Sequence, residues 1–202
     1  MRQLTLVVVL AALFAVTGSA ANCIPGTLTS YIALGSEGCN LGGLSVFDFN
    51  YKAQASGGAP EITPDQINVT PLLAPVAFVG LQFTAPWSVA SGQQQGSHVT
   101  YKVVSPTAGR AIQQLTLDGT GFQAGPFGGV VVNEVAADQG QSYDLKVFIQ
   151  CTEVCRSQTT ATVAITPTPA LVVSDTVLLN SRMGTSTLSN FVSWFSECPA
   201  CV

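Results

Sequence analysis

From residue 44 onward the chain is written in short alternations of apolar and polar side chains. In residues 44–55, Phe47, Phe49, Tyr51, Ala53 and Ala55 fall on one face, and Asp48, Asn50, Lys52 and Gln54 on the other. A period of two means a strand with one buried face, and Ser56-Gly57-Gly58 ends it. Residues 66–70 form a short strand candidate, and Pro71 and Pro75 confine this stretch to an edge or a loop. Residues 76–84 place Val79, Leu81 and Phe83 together and stop at Pro86-Trp87-Ser88; a Gln-rich loop over 92–96 leads into a strand over 97–104. Residues 110–117 slip once between Ile112 and Leu115, the mark of a β-bulge, and Asp118-Gly119-Thr120-Gly121 reads as a turn. Further strands are predicted over 130–135, 142–151, 159–166 and 171–179, while residues 187–196 fit neither the strand nor the helix period.

About eight to ten short strands, with turn signals roughly every ten residues, make the sandwich or barrel pattern. No segment after the first twenty residues sustains a 3.6-residue period. The predicted fold is all-β: a single antiparallel β-sandwich, Ig-like or jelly-roll-like.

The start of the chain differs. Arg2 precedes an apolar run over 4–16, and Thr17-Gly18-Ser19-Ala20-Ala21 comes next with small residues. This is the layout of a secretory signal peptide, with an apolar run too short to span a bilayer comfortably. The expected organisation is a signal over 1–21 and one domain over 22–202. The expected location is secreted, extracellular or in the cell envelope, with no stable membrane anchor after cleavage.

Seven Lys and Arg stand against eleven Asp and Glu, and no run of basic residues occurs. Nucleic acid as a partner is set aside, because it demands a concentrated positive field.

All six cysteines, Cys23, Cys39, Cys151, Cys155, Cys198 and Cys201, come after the signal. An even count in an exported chain reads as disulfides, and the spacing favours the local pairs Cys23–Cys39, Cys151–Cys155 and Cys198–Cys201. Two rivals stay open. The last four cysteines have the spacing of a four-thiolate zinc site, and Cys198-Pro199-Ala200-Cys201 has the form of a redox pair.

Catalytic chemistry finds little support. A Ser-His-Asp triad would have to use the one histidine, His98, and no G-x-S-x-G elbow accompanies it. Paired carboxylates could serve a glycosidase, but their separation is not legible in a sequence. P-loop and dinucleotide glycine patterns are absent, as is a calcium-loop run, so no cofactor is expected. Trp87, after Pro86, is a candidate ligand-contact residue for stacking on sugar; the competing reading is a core tryptophan.

Several segments carry a resemblance. Tyr31-Ile32-Ala33-Leu34-Gly35, Gly38-Cys39, Gly43-Leu44 and Phe47-Asp48-Phe49 resemble the opening of a family of exported bacterial proteins, many of which end in a PEP-CTERM sorting segment. Leu81-Gln82-Phe83 with Ala85-Pro86-Trp87-Ser88-Val89 is similar to that family's middle signature, and Ser97-His98-Val99-Thr100-Tyr101 to the strand after it. The resemblance is strongest over 23–105 and extends to about 196. It implies an exported β-rich body with no assigned activity and carries over no catalytic residue. After Phe195-Ser196-Glu197, where the family has Pro-Glu-Pro, an apolar helix and a basic end, this chain has Cys198-Pro199-Ala200-Cys201-Val202; the expectation is a released protein.

The leading functional expectation is therefore a non-enzymatic extracellular or cell-envelope protein, structural or adhesive, with extracellular polysaccharide or matrix protein as partner. The alternative is a carbohydrate-binding module. A secreted glycoside hydrolase and a four-cysteine zinc or redox protein rank below both.

Overall fold

A computed structural model describes residues 20–74, 78–138, 140–198 and 201. The expected signal over 1–21 lies almost wholly outside the described residues. Thirteen strands are present among those described: β1 (Gly26–Thr27), β2 (Cys39–Leu41), β3 (Leu44–Ser56), β4 (Asn68–Leu73), β5 (Phe78–Val89), β6 (Gln94–Val104), β7 (Ala111–Thr120), β8 (Gly128–Ala137), β9 (Ser142–Cys151), β10 (Cys155–Gln158), β11 (Thr160–Thr168), β12 (Ala170–Ser181) and β13 (Ser186–Cys198). One short α-helix among the described residues, α1 (Leu28–Ala33), comes after β1, and a single 3-10 turn spans Pro64–Gln66; the Thr27 side chain accepts a hydrogen bond from Ser30 N and caps α1.

The strands form two sheets, one six-stranded in the order β1-β4-β5-β13-β7-β11 and one seven-stranded in the order β10-β9-β8-β12-β6-β3-β2. Every strand pair is antiparallel. The chain crosses repeatedly between sheets, and the last two strands, β12 and β13, lie in the interior of each sheet. The expected antiparallel β-sandwich is the fold found.

Alternating inward residues fill the space between the sheets, as sandwich packing requires. A ladder of rings runs through it. Tyr31 meets Phe49 edge-on at 5.2 Å, Phe49 stacks on Tyr101 at 5.1 Å, Phe83 stacks on Phe191 at 4.9 Å, and Trp87 tilts against Phe191 at 5.8 Å. Such contacts add to the stabilisation from burial itself.

Irregular positions explain where the alternation misleads. In β3, Asp48 sits at φ 55° and the register against β6 shifts between Phe47 and Asn50. This bulge turns Phe47 outward and leaves Phe49, Tyr51 and the later odd positions inward, so Phe47 does not join the face expected of it. The slip expected between Ile112 and Leu115 is present: β13 pairs Ser196 with Gln114 and then Glu197 with Ile112. Pro86 does not end β5; Ala85 and Pro86 together face Ser189 in a second bulge, where a missing N–H disrupts no ladder.

Candidate functional site

Trp87 is 1% exposed, and its Nε1 donates to Ser97 Oγ at 3.0 Å. The ligand-contact candidate is thus corrected to a core residue. The bulge at Ala85–Pro86 keeps it pointing between the sheets, where its area is buried against Phe191.

The second tryptophan is placed differently. On β13, Phe191, Ser193 and Phe195 face the core, so Val192 and Trp194 face out from the six-stranded sheet. Trp194 pairs across β5 with Gly80 and across β7 with Thr116. A Cβ on Gly80 would lie 2.7 Å from Trp194 Cε3 and 2.9 Å from Cδ2. On the other side, Trp194 Nε1 donates to Asp118 Oδ2 at 2.9 Å. The indole therefore reaches over β5 at one edge and towards β7 at the other, and lies along the sheet with one face down. Gln82, Thr120, Thr160 and Asn190 surround it in a shallow depression. The strands of this sheet contain no Lys or Arg. The surface is a fixed aromatic platform bordered by neutral hydrogen-bonding groups and one carboxylate.

A second polar cluster lies inside the core. Glu134 on β8 pairs directly with Asp175 on β12, and both are 0% exposed. Ser193 Oγ donates to Asp175 Oδ2 at 3.3 Å, and the buried Tyr101 completes the group. Burial pushes Glu134 well above the ordinary carboxyl range, and the adjacent Asp175 charge adds to this. Burial likewise pushes Asp175 up to about 7, with hydrogen bonding to Tyr101, Ser193 and Glu134 pulling the other way. Both Glu134 oxygens, Asp175 Oδ1 and the Tyr101 hydroxyl lie buried without a partner in hydrogen-bond geometry. Two neighbouring carboxyl groups buried away from water favour their un-ionised forms, since burial and like charge both oppose ionisation. Sealed from solvent between the sheets, this pair has no access to a substrate.

The three local disulfides, Cys23–Cys39, Cys151–Cys155 and Cys198–Cys201, all form, leaving no free thiol among the described residues to hold zinc. Cys151–Cys155 ties opposed positions of the β9–β10 hairpin. His98 lies on the outer face of the seven-stranded sheet, its Nδ1 2.9 Å from Thr176 Oγ1 and its Nε2 3.5 Å from Ser174 Oγ, so both ring nitrogens face hydroxyl groups rather than a carboxylate. Trp194 was legible only as part of a segment with no clear period. The signal that singles it out is the glycine opposite, which a sequence without strand register cannot supply.

No protein-family model matches the chain, and no curated protein matches it. Among solved structures, the chain is similar to the carbohydrate-binding module TmCBM61 in complex with β-1,4-galactotriose. That match has 12% identity, 73% of this chain and 87% of that one, and TM-score 0.34. It is also similar to the family 11 carbohydrate-binding module of Clostridium thermocellum in complex with a mixed-linked tetrasaccharide, with 7% identity, 81% and 92% coverage and TM-score 0.22. A third match is the enzymatically active domain of tailspike protein 4 of bacteriophage CBA120, with 10% identity, 83% and 21% coverage and TM-score 0.31.

Proposed function

We propose that this domain is a non-catalytic carbohydrate-binding module of an exported protein, and that it holds an uncharged polysaccharide against Trp194. The observation that carries this is the fixed indole, seated over Gly80 and tethered to Asp118. A sugar ring presents an apolar C–H face, and a planar indole already immobilised on a sheet loses little entropy in receiving it. Gln82, Asn190, Thr120 and Thr160 offer the donors and acceptors that hydroxyl groups need. A neutral chain fits because the face carries Asp118 and no cation. Three disulfides suit an oxidising compartment, where such polymers are met. A structural or adhesive role arises from the same surface, since a domain that binds without cleaving fastens its bearer to a matrix.

The test is affinity electrophoresis of the purified protein in gels containing neutral β-glucans, galactans or mannans. Retardation by at least one polymer is expected, and Trp194→Ala should weaken it by about tenfold or more, as loss of a central aromatic anchor does. Its melting temperature should stay near that of the parent, because the ring lies outside the core. No retardation by any of them, or equal retardation of the variant, would overturn the proposal. Release of soluble sugar from the polymer would overturn its non-catalytic part.

A further inference from the structure

The opposite face of the molecule has a different chemistry. The basic residues are scattered in the sequence, yet every Lys or Arg that lies in a strand, namely Lys52, Lys102, Lys146 and Arg156, belongs to the seven-stranded sheet. All four are exposed. Lys102 is committed to Asp48 at 2.9 Å. Lys52, Lys146 and Arg156 form no ion pair among the described residues, although Lys146 Nζ lies over the Phe148 ring, 5.6 Å from its centre.

Register arranges these groups in rungs that run across the strands. One rung reads Lys52, His98, Thr176, Asn133, Lys146 over β3, β6, β12, β8 and β9. At about 4.8 Å per strand step, its end residues stand roughly 19 Å apart. The next rung is the low one. It reads Gly96, Leu178, Val131, Phe148, with Leu178 38% exposed and Gln54 lying over the bare Gly96 backbone. The rung beyond it is polar again, with Gln94, Asn180, Gln150 and Arg156. Two depressions, of about 300 Å3 and about 330 Å3, flank Gln54; the first is lined by Gln94, Leu178 and Asn180, the second by Lys52, His98 and Thr176.

We infer that this trough is a second binding surface, and that its occupant is an acidic polysaccharide lying across the strands. The apolar rung takes the C–H faces of the sugars, and the polar rungs take hydroxyl groups. Lys52, Lys146 and Arg156 take carboxylates, in a protein whose net charge of −4 would otherwise repel an anionic chain. Asp144 shares this outer face beside Lys146. A duplex nucleic acid fits poorly, because three cations spread along a flat sheet neutralise few of its closely spaced phosphates. The trough does not use Trp194, so its occupancy is independent of the neutral-glycan reading. Together the two faces would make the domain a bridge between two kinds of polymer.

The experiment is affinity electrophoresis of the full domain with polygalacturonate, with its fully methyl-esterified counterpart, and with duplex DNA. In the Trp194→Ala background, where the neutral-polysaccharide platform is removed, polygalacturonate should retard the protein and the ester should do so about tenfold less, since only the charge differs. Lys52→Gln/Lys146→Gln should lose about tenfold or more in affinity, as expected for hydrogen bonds to charged groups. Trp194→Ala should bind polygalacturonate like the parent, and added salt should weaken binding. Near-ultraviolet circular dichroism of the double variant should match the parent, both sites being exposed. Equal retardation by polymer and ester, an unaffected double variant, or duplex DNA bound as tightly as polygalacturonate would each overturn the inference.

Discussion

Two residues of one type have opposite fates because of their neighbours across the sheet. Trp87 points into the core and stands at the end of the aromatic ladder. Trp194 points out and lies flat because the residue opposite it, Gly80, has no side chain. Gly80→Ala is therefore predicted to lift the indole from the sheet without disturbing the core. Neutral-polysaccharide binding should fall several-fold, and tryptophan emission should change while the melting temperature holds; unchanged binding would show that the ring's seat is irrelevant. The buried acids give a second prediction at this scale. The folded pKa values of Glu134 and Asp175 lie above their unfolded values. The folded state therefore keeps protons that the unfolded state releases, so this pair's contribution to stability is greatest at low pH and declines as pH rises through the folded values. The two acids titrate as a pair, so the loss should begin near the ordinary carboxyl range and continue to about pH 7 or above. Urea denaturation across this range should show the decline, and Glu134→Gln, which keeps a donor beside Asp175 and removes one of the acids, should flatten it. A parent whose stability rises over the same window, with no flattening in Glu134→Gln, would contradict the raised values.

Most of the strands were legible from period two alone, because a sandwich strand with one buried face has no other way to be written. β3, β9 and β12 stand close to where their alternation puts them. Departures occur where one backbone irregularity resets the count. Asp48 in a positive-φ conformation reverses Phe47, and the bulge at Ala85–Pro86 lets β5 run on through a proline to Val89. β13 was the hardest to read, for a physical reason. It lies between β5 and β7, its inward face is apolar at Phe191 and Phe195, and its outward face carries Val192 and Trp194. Both faces are thus apolar, and the alternation disappears. The candidate platform was therefore hidden in the segment whose pattern was least clear, and the residues that border it come from β5, β7 and the start of β11. The same holds for the basic rung, whose members are separated by dozens of residues and meet only through strand register.

At the scale of the whole molecule, the three disulfides are short-range: they join residues separated by 16, 4 and 3 positions. None of them joins a strand of one sheet to a strand of the other. The two sheets are held together by the core itself, and the interior strands β12 and β13 come last in the chain, so neither sheet is complete until the end has been placed. Cross-linking and cohesion are therefore separable. In the chain-entropy account, a bridge stabilises according to the loop it closes, which gives roughly 3 kcal/mol for Cys23–Cys39 and about 2 kcal/mol or less for each of the other two. Cys23→Ser/Cys39→Ser should accordingly lower the denaturation midpoint more than either of the corresponding double variants at the hairpin or the C-terminal pair. The fully reduced protein should still unfold in one cooperative transition, with far- and near-ultraviolet signals lost together, because each sheet's apolar face has only the other sheet to cover it. Two separated transitions would mean that one sheet stands without the other, and that a disulfide rather than the shared core joins the halves.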